Sequence, residues 1–252
     1  MKPKGKITVM IQARSGSNRL PKKILANIEG KPLIFHVINR IKKVKKVERI
    51  ILITTRKKED KILLNLVKKY DVLGFAGNEF DVLDRHYQCA KMYNADPIIR
   101  ITSDCPLIDP DLISEILDFY INNNFDYVSN TINPTYPDGL DVEIFSFRAL
   151  EEASLKAKLN SEREHVTPFI KNKSNKFKIF NYKSNIDLSH HRWTVDVKKD
   201  LKFVRKIYKL LRPQILFSSK KILKIIAKNP EISDINKGIN RDEGYLRSLQ
   251  NE

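Results

Sequence analysis

The 252-residue sequence predicts an α/β fold, a doubly wound and mostly parallel sheet with helices on both faces. Two observations carry that expectation. Short apolar β-type runs alternate with amphipathic helical patterns as far as residue 130, and the first run empties into a loop of small and cationic residues. In sheets of this kind ligands sit beyond the carboxyl ends of the strands.

The first run, residues 7–11, precedes a helical pattern over 33–41 with Leu33, Ile34, Val37, Ile38 and Ile41 on one face. Residues 49–54 read as a buried strand, and 59–70 as an amphipathic helix presenting Ile62, Leu63, Leu66 and Val67. Strand 72–76, helix 82–93 and strand 97–101 follow. Helix 110–122 is opened by Pro110 in its first turn, and 127–130 reads as a fifth strand. The rhythm then changes: strand 141–145, helices 147–158 and 161–172, strand 177–182, a last short strand 193–197 and helix 200–211. This second half is expected to finish the sheet and add a small antiparallel excursion. The resulting division is 1–211 as the main domain, its halves meeting near residue 130, with 212–252 as a helical tail.

Composition narrows the class. Hydrophobic content of 41% and charged content of 31% are those of a globular protein, and no apolar run approaches the roughly 20 residues that span a bilayer. Met1 to Gly5 hold no signal-type apolar region, and two unpatterned cysteines, Cys89 and Cys105, fit a reducing cytoplasm better than a disulfide framework or a zinc site. The net charge of +17 raises nucleic acid as a partner. The excess, however, is lysine spread over helix faces with no nucleic-acid-binding motif beside it, so an anionic small substrate is the better expectation.

The chemistry concentrates in two places. The loop after the first run carries Arg14, Ser15, Gly16, Arg19, Lys22 and Lys23. Small residues there let backbone N–H groups approach phosphate oxygens while the cations supply charge; a basic surface turn is the alternative. Asp104 ends strand 97–101, where a carboxylate is well placed to hold a hard divalent cation against phosphate, or else to cap a turn. Asp196 ends the 193–197 run and reads either as a helix cap or as a second metal carboxylate. Asp109, next to Pro110, fits a cap, His190 and His191 read as loop residues, and Trp193 reads as core.

Taken together, the loop from Ile11 to Lys23 followed by Gly30-Lys31-Pro32-Leu33 resembles the nucleotide loop of cytidylyltransferases that activate acidic sugars, of the CMP-ketodeoxyoctonate and acylneuraminate type. The closer resemblance is to the spore-coat polysaccharide biosynthesis subgroup, through Asp81-Val82-Leu83-Asp84-Arg85, the stretch from Arg100 to Pro110, and the stretch from Tyr136 to Glu143. The stretches from Ser161 to Pro168, from Arg192 to Asp196 and from Glu243 to Leu246 match it as well, so the resemblance runs nearly the length of the chain.

The resemblance implies a nucleotide-diphospho-sugar transferase fold of glycosyltransferase-A-like type and transfer of CMP from CTP with release of pyrophosphate. It places nucleotide contacts at Ala13, Arg14, Ser15, Gly16 and Lys23, with Arg14 and Lys23 neutralising the triphosphate. It implies magnesium at Asp104 and Asp196, a cytosine pocket near Thr54, Thr55 and Arg85, and acceptor recognition by Asp138, Asp141, Glu143, Arg163 and His165. His165 or a carboxylate is a candidate general base. Ser103 stands where many relatives carry Gly, a small-for-small change. A cytoplasmic homodimer in surface-glycan assembly is expected, with an acidic sugar or a phosphorylated small molecule as acceptor. A glycosyltransferase on the same fold, and a non-catalytic binder of anions or nucleic acid, are the competing readings.

Overall fold

The apolar run around Val9 becomes the central strand β1 (Lys6–Gln12), with Val9, Met10 and Ile11 fully buried. A side chain of that kind stabilises a fold by roughly 1.5–3 kcal/mol relative to exposure, which is why the run sits in the middle of a sheet covered on both faces. The computed structural model describes residues 4–17, 19–241 and 243–250. Asn18 of the basic loop, residues 1–3, and Asp242 with the last two residues of the expected tail lie outside them.

A two-stranded hairpin, β2 (Asn27–Ile28) and β3 (Lys31–Pro32), turns the chain into α1 (Leu33–Ile41). Then come β4 (Arg49–Thr55), α2 (Lys61–Lys68), β5 (Leu73–Gly77), α3 (Val82–Met92), β6 (Ala95–Thr102) and α4 (Pro110–Asn122). The second half contributes β7 (Tyr127–Ser129), β8 (Glu143–Phe145), α5 (Phe147–Lys156), α6 (Asn160–His165), α7 (Pro168–Lys171) and β9 (Ile179–Asn181). Helices α8 (Lys198–Leu210), α9 (Ser219–Lys228) and α10 (Glu243–Gln250) follow.

The seven-stranded sheet runs in the order β5-β4-β1-β6-β8-β7-β9, and only β8 opposes the others. This is the expected doubly wound, mostly parallel sheet with a small antiparallel excursion. Helices α1, α4 and α8 cover one face through Ile34, Val37, Ile113, Ile116, Val204 and Ile207. Phe217, Ile222, Ile226 and Ile232 of the tail join that same core. The other face packs Met10, Ile51 and Ile53 against α3 and α5. No helix among the described residues is long and apolar enough to cross a membrane.

Two expected elements differ. Residues 161–172 form two helices, because the chain turns at Val166 (φ 73°) and Pro168, which has no N–H to donate, starts α7. Residues 193–197 form no strand. The N–H groups of the first three residues go to loop carbonyls: Trp193 and Thr194 both donate to the Asp138 carbonyl at 2.6 and 3.0 Å, and Val195 donates to the Asp104 carbonyl at 2.9 Å. Gly139 (φ 104°) makes that approach feasible, since a Cβ there would meet the Thr194 nitrogen at 2.5 Å.

Register then lines up the chemistry. Gln12 pairs with Ile53 of β4 and with Thr102 of β6, so the three strands end level. The loops leaving them place Ala13, Thr54 with Thr55, and Asp104 along one edge.

Candidate active site

The loop after β1 is tied down by an aspartate 45 positions away in sequence. Ala13 is buried and donates its N–H to the Ile53 carbonyl at 3.0 Å. Ser15 donates its N–H and its hydroxyl to Asp60 Oδ1 at 2.7 and 2.5 Å, and Thr55 Oγ1 donates to Asp60 Oδ2. Burial alone would push the Asp60 pKa up, but these donors outweigh it and hold the carboxyl below its usual range. The Ser15 carbonyl in turn accepts from Ser17 at 3.1 Å and Lys22 at 3.3 Å, closing the loop on itself. Lys22 takes the left-handed conformation (φ 54°) and hands the chain to a single 3-10 turn, Lys23–Leu25, whose buried Ile24 anchors Lys23.

Lys23 is the centre of the site. Its ammonium donates to Asp104 Oδ2 at 2.7 Å and to Asp196 Oδ1 at 2.8 Å, with only 13% of the side chain exposed. Desolvation by itself would lower the Lys23 pKa and raise that of Asp104. The mutual attraction exceeds both effects, so Lys23 is raised and the Asp104 carboxyl is held down at about 2. Asp196 also accepts from Arg19 Nη2 at 3.0 Å and from Arg192 Nη2 at 2.9 Å. Arg192 spreads over three carboxylates, adding Asp138 at 2.7 Å and the fully buried Asp200 at 3.0 Å. Burial would lower its pKa, and these partners raise it instead. Asp200 fixes the turn into α8 by accepting the N–H groups of Asp196 and Val197 at 2.9 and 3.1 Å.

Carboxylates outnumber cations here. Lys23, Arg19 and Arg192 face Asp104, Asp138, Asp196, Asp200 and Glu243, the last on Arg19 Nη1 at 2.9 Å. That surplus, and the convergence of Asp104 and Asp196 on one cation, fit a magnesium ion. Asp104 and Asp196 would supply two hard oxygen donors to such an ion. No group of three or more His, Cys, Asp or Glu among the described residues forms a fuller cage.

The remaining expected residues are distributed as follows. Arg14 is exposed at the loop, with no hydrogen-bond or ion-pair partner among the described residues, and Gly16 faces open space. Thr54 and Thr55 are buried at the end of β4. Arg85 is buried too, and its guanidinium turns onto the carbonyls of Asn78 and Glu79 at 2.7 and 2.9 Å, bracing the loop after β5. Burial, then the nearby Arg14, lowers its pKa.

The five acceptor candidates are each held by a different partner. Asp138 belongs to the Arg192 network, and Asp141 pairs with Arg241. Glu143 is buried, accepting from Tyr127 and Thr167 hydroxyls at 2.6 Å each and pairing with Arg100. Burial would raise its pKa, but Arg100 and Lys171 lead the groups that hold it at about 2. Arg163 pairs with Asp81, the N-cap of α3, and reaches the Ser154 carbonyl at 2.7 Å. His165 Nε2 shares a hydrogen bond with Ser248 Oγ at 2.9 Å and meets the edge of Tyr245, so α10 closes over this half. Trp193 is fully buried, as expected of a core residue.

Asp60, Arg192 and Asp200 were not singled out from the sequence. Asp60 reads there as an acidic residue at a helix start, and only the fold brings it to Ser15.

The profile of the Cytidylyltransferase family matches residues 8–223, a span that holds the basic loop, both aspartates and Arg192. Over nearly its whole length the chain is 40% identical to an uncharacterised protein of Methanocaldococcus jannaschii, covering 95% of this chain and 98% of that one. It is 26% identical to the spore coat polysaccharide biosynthesis protein SpsF of Bacillus subtilis over 89% of this chain and 95% of the relative. The structure of a cytidylyltransferase from Leptospira borgpetersenii superposes with a TM-score of 0.89 at 32% identity, covering 94% of this chain and all of that one. On this footing the chain is a nucleotidyltransferase, and it belongs to the cytidylyltransferase family.

Proposed function

We propose that the enzyme transfers CMP from CTP to an acidic sugar or a phosphorylated small acceptor in surface polysaccharide biosynthesis, releasing pyrophosphate. The observation that carries this reading is Lys23 clasped between Asp104, just beyond β6, and Asp196, just before α8, beside a loop anchored by Asp60. An acceptor oxygen attacks the α-phosphorus as the bond to the β-phosphate oxygen breaks, so negative charge gathers on the non-bridging and leaving oxygens. Arg14 and Lys23 are placed to follow that charge, and Lys23, its pKa raised, stays protonated across the working range. Magnesium bound by Asp104 and Asp196 would neutralise phosphate oxygens in the same place.

Thr54, Thr55 and the Arg85-braced loop form the side nearest the base, and Glu143, Arg163 and His165 lie on the acceptor side. The reading includes a cytoplasmic homodimer. Its test is pyrophosphate release from CTP, ATP, GTP and UTP against a panel of acidic sugars and polyol phosphates. Release with CTP and one acceptor class is expected. Sugar transfer from a preformed sugar nucleotide without pyrophosphate would instead identify a glycosyltransferase, and no reaction with any pair would count against the proposed reaction.

A further inference from the structure

More than half of the net charge of +17 comes from one stretch. Residues 198–237 hold 12 Lys and Arg against 3 acidic residues. Helix α8 gathers Lys202, Arg205, Lys206 and Lys209 on its outer face, at helical spacings of three and four. Like charges so spaced repel and destabilise a helix. With Arg212 they are exposed and line an open cavity of about 630 Å³. The β2–β3 hairpin and the 3-10 segment Pro230–Asn236 form its other walls. None of its lining residues belongs to the Lys23–Asp104–Asp196 site.

The cations there are under-compensated. Glu29 is taken by Arg212, and Glu231 is the one other carboxylate of the lining. Lys202, Lys206 and Lys209 have no hydrogen-bond or ion-pair partner among the described residues. Half-buried Ile235 adds an apolar contact above Ile232, which belongs to the core. A space within the 300–1,000 Å³ range typical of small-ligand pockets, about that of a nucleotide or sugar phosphate, lined by three unpaired ammonium groups and a short apolar wall, has the chemistry of an organic polyphosphate site. Its limited extent suits a small anion better than a nucleic acid or a membrane, which would need a longer stripe. It also adjoins β2, which follows the basic loop: Arg205 Nε donates to the Asn27 carbonyl at 2.8 Å, two residues beyond the turn that carries Lys23.

We propose that this cavity is a second anion site, which takes a small organic di- or triphosphate apart from the nucleotide site. Phosphate oxygens sit among Lys202, Lys206 and Lys209, and the carbon skeleton lies against Ile235. The proposal does not depend on which nucleotide the enzyme turns over, so its test uses binding and not turnover.

The probe is inorganic tripolyphosphate, titrated calorimetrically into the full chain in a Lys23→Ala background that weakens the active-site contribution. Tripolyphosphate is expected to bind this background, and adding Lys202→Glu with Lys206→Glu is expected to weaken binding at least tenfold. The Lys202→Arg/Lys206→Arg version is expected to retain it, and unchanged melting temperatures confirm that the fold is intact. Equal affinity with and without the glutamates overturns the proposal. So does a wild-type chain that ignores tripolyphosphate but adsorbs to phosphatidylserine vesicles through the same lysines, which would make the face a membrane contact.

Discussion

Replacing Asp60 by alanine should loosen the nucleotide loop and destabilise the protein together. The carboxylate is 2% exposed and accepts three hydrogen bonds, two from Ser15 and one from Thr55. A hydrogen bond to a charged group contributes about 1.5–3 kcal/mol, and an orphaned buried donor costs about 1–3 kcal/mol. The Ser15 and Thr55 hydroxyls can rotate toward new partners, whereas the Ser15 backbone N–H cannot, so a net loss of about 3 kcal/mol is expected. Urea denaturation at neutral pH measures it. Asp60→Asn, which keeps an acceptor oxygen but no charge, should fall between wild type and alanine.

The same change should raise the KM for nucleotide, because the Ser15 carbonyl that closes the loop onto Lys22 loses its anchor. The pH dependence has a fixed sign. The folded Asp60 pKa lies below its unfolded value, so its contribution is fully present above the unfolded carboxylate range and is lost as pH falls through the lower folded value. Asp60→Ala should therefore lose part of the wild-type decline on the acid side. A variant within about 0.5 kcal/mol of wild type, with an unchanged KM, would refute the role of Asp60 as the loop's anchor.

Other consequences follow from the same geometry. Gly139→Ala puts a Cβ at 2.5 Å from the Thr194 nitrogen and 2.7 Å from the Trp193 carbonyl carbon at a φ of 104°. Its expected result is a loss of several kcal/mol in denaturant midpoint analysis, with Asp196 displaced and activity reduced beyond the stability effect. Glu143, held at about 2 against an unfolded value near 4.5, contributes about 3 kcal/mol above the unfolded value, lost as pH falls through about 2. Glu143→Gln should flatten that acid limb, read by thermal melts at stepped pH; an unaltered limb would mean that Arg100 and Lys171 do not hold the charge.

How far the sequence carried this picture depended on the range of the interaction. Helix α4 is bounded at Pro110 and Asn122 as expected, since Asp109 caps the N–H of Asp111 at 3.1 Å and Pro110 suits a first turn, both local effects. The strand ends that carry Ala13, Thr54 and Asp104 were readable because buried parallel strands are nearly continuous apolar runs. Residues 193–197 misread for the converse reason: their β-type composition serves packing of Trp193 and Val195 in the core, while their N–H groups are spent on the carbonyls of Asp138 and Asp104 and on the Asp200 carboxylate. The partners of Arg192 and the reach of Asp60 to Ser15 depend on the assembled sheet and leave no periodic trace. The residues expected to recognise the acceptor were the least legible, because a turn such as Asp138-Gly139 looks alike whether it binds a substrate or, as here, docks a backbone segment.

The most direct measurement is CTP binding by calorimetry with and without magnesium, in wild type and Asp104→Asn. The Lys23–Asp104–Asp196 centre predicts that magnesium strengthens CTP binding to the wild type and has no such effect on the variant. The variant should melt as a folded protein, and its magnesium-dependent pyrophosphate release should fall by about a hundredfold or more. An Asp104→Asn protein that binds and turns over magnesium-CTP as the wild type does would contradict the account at its centre.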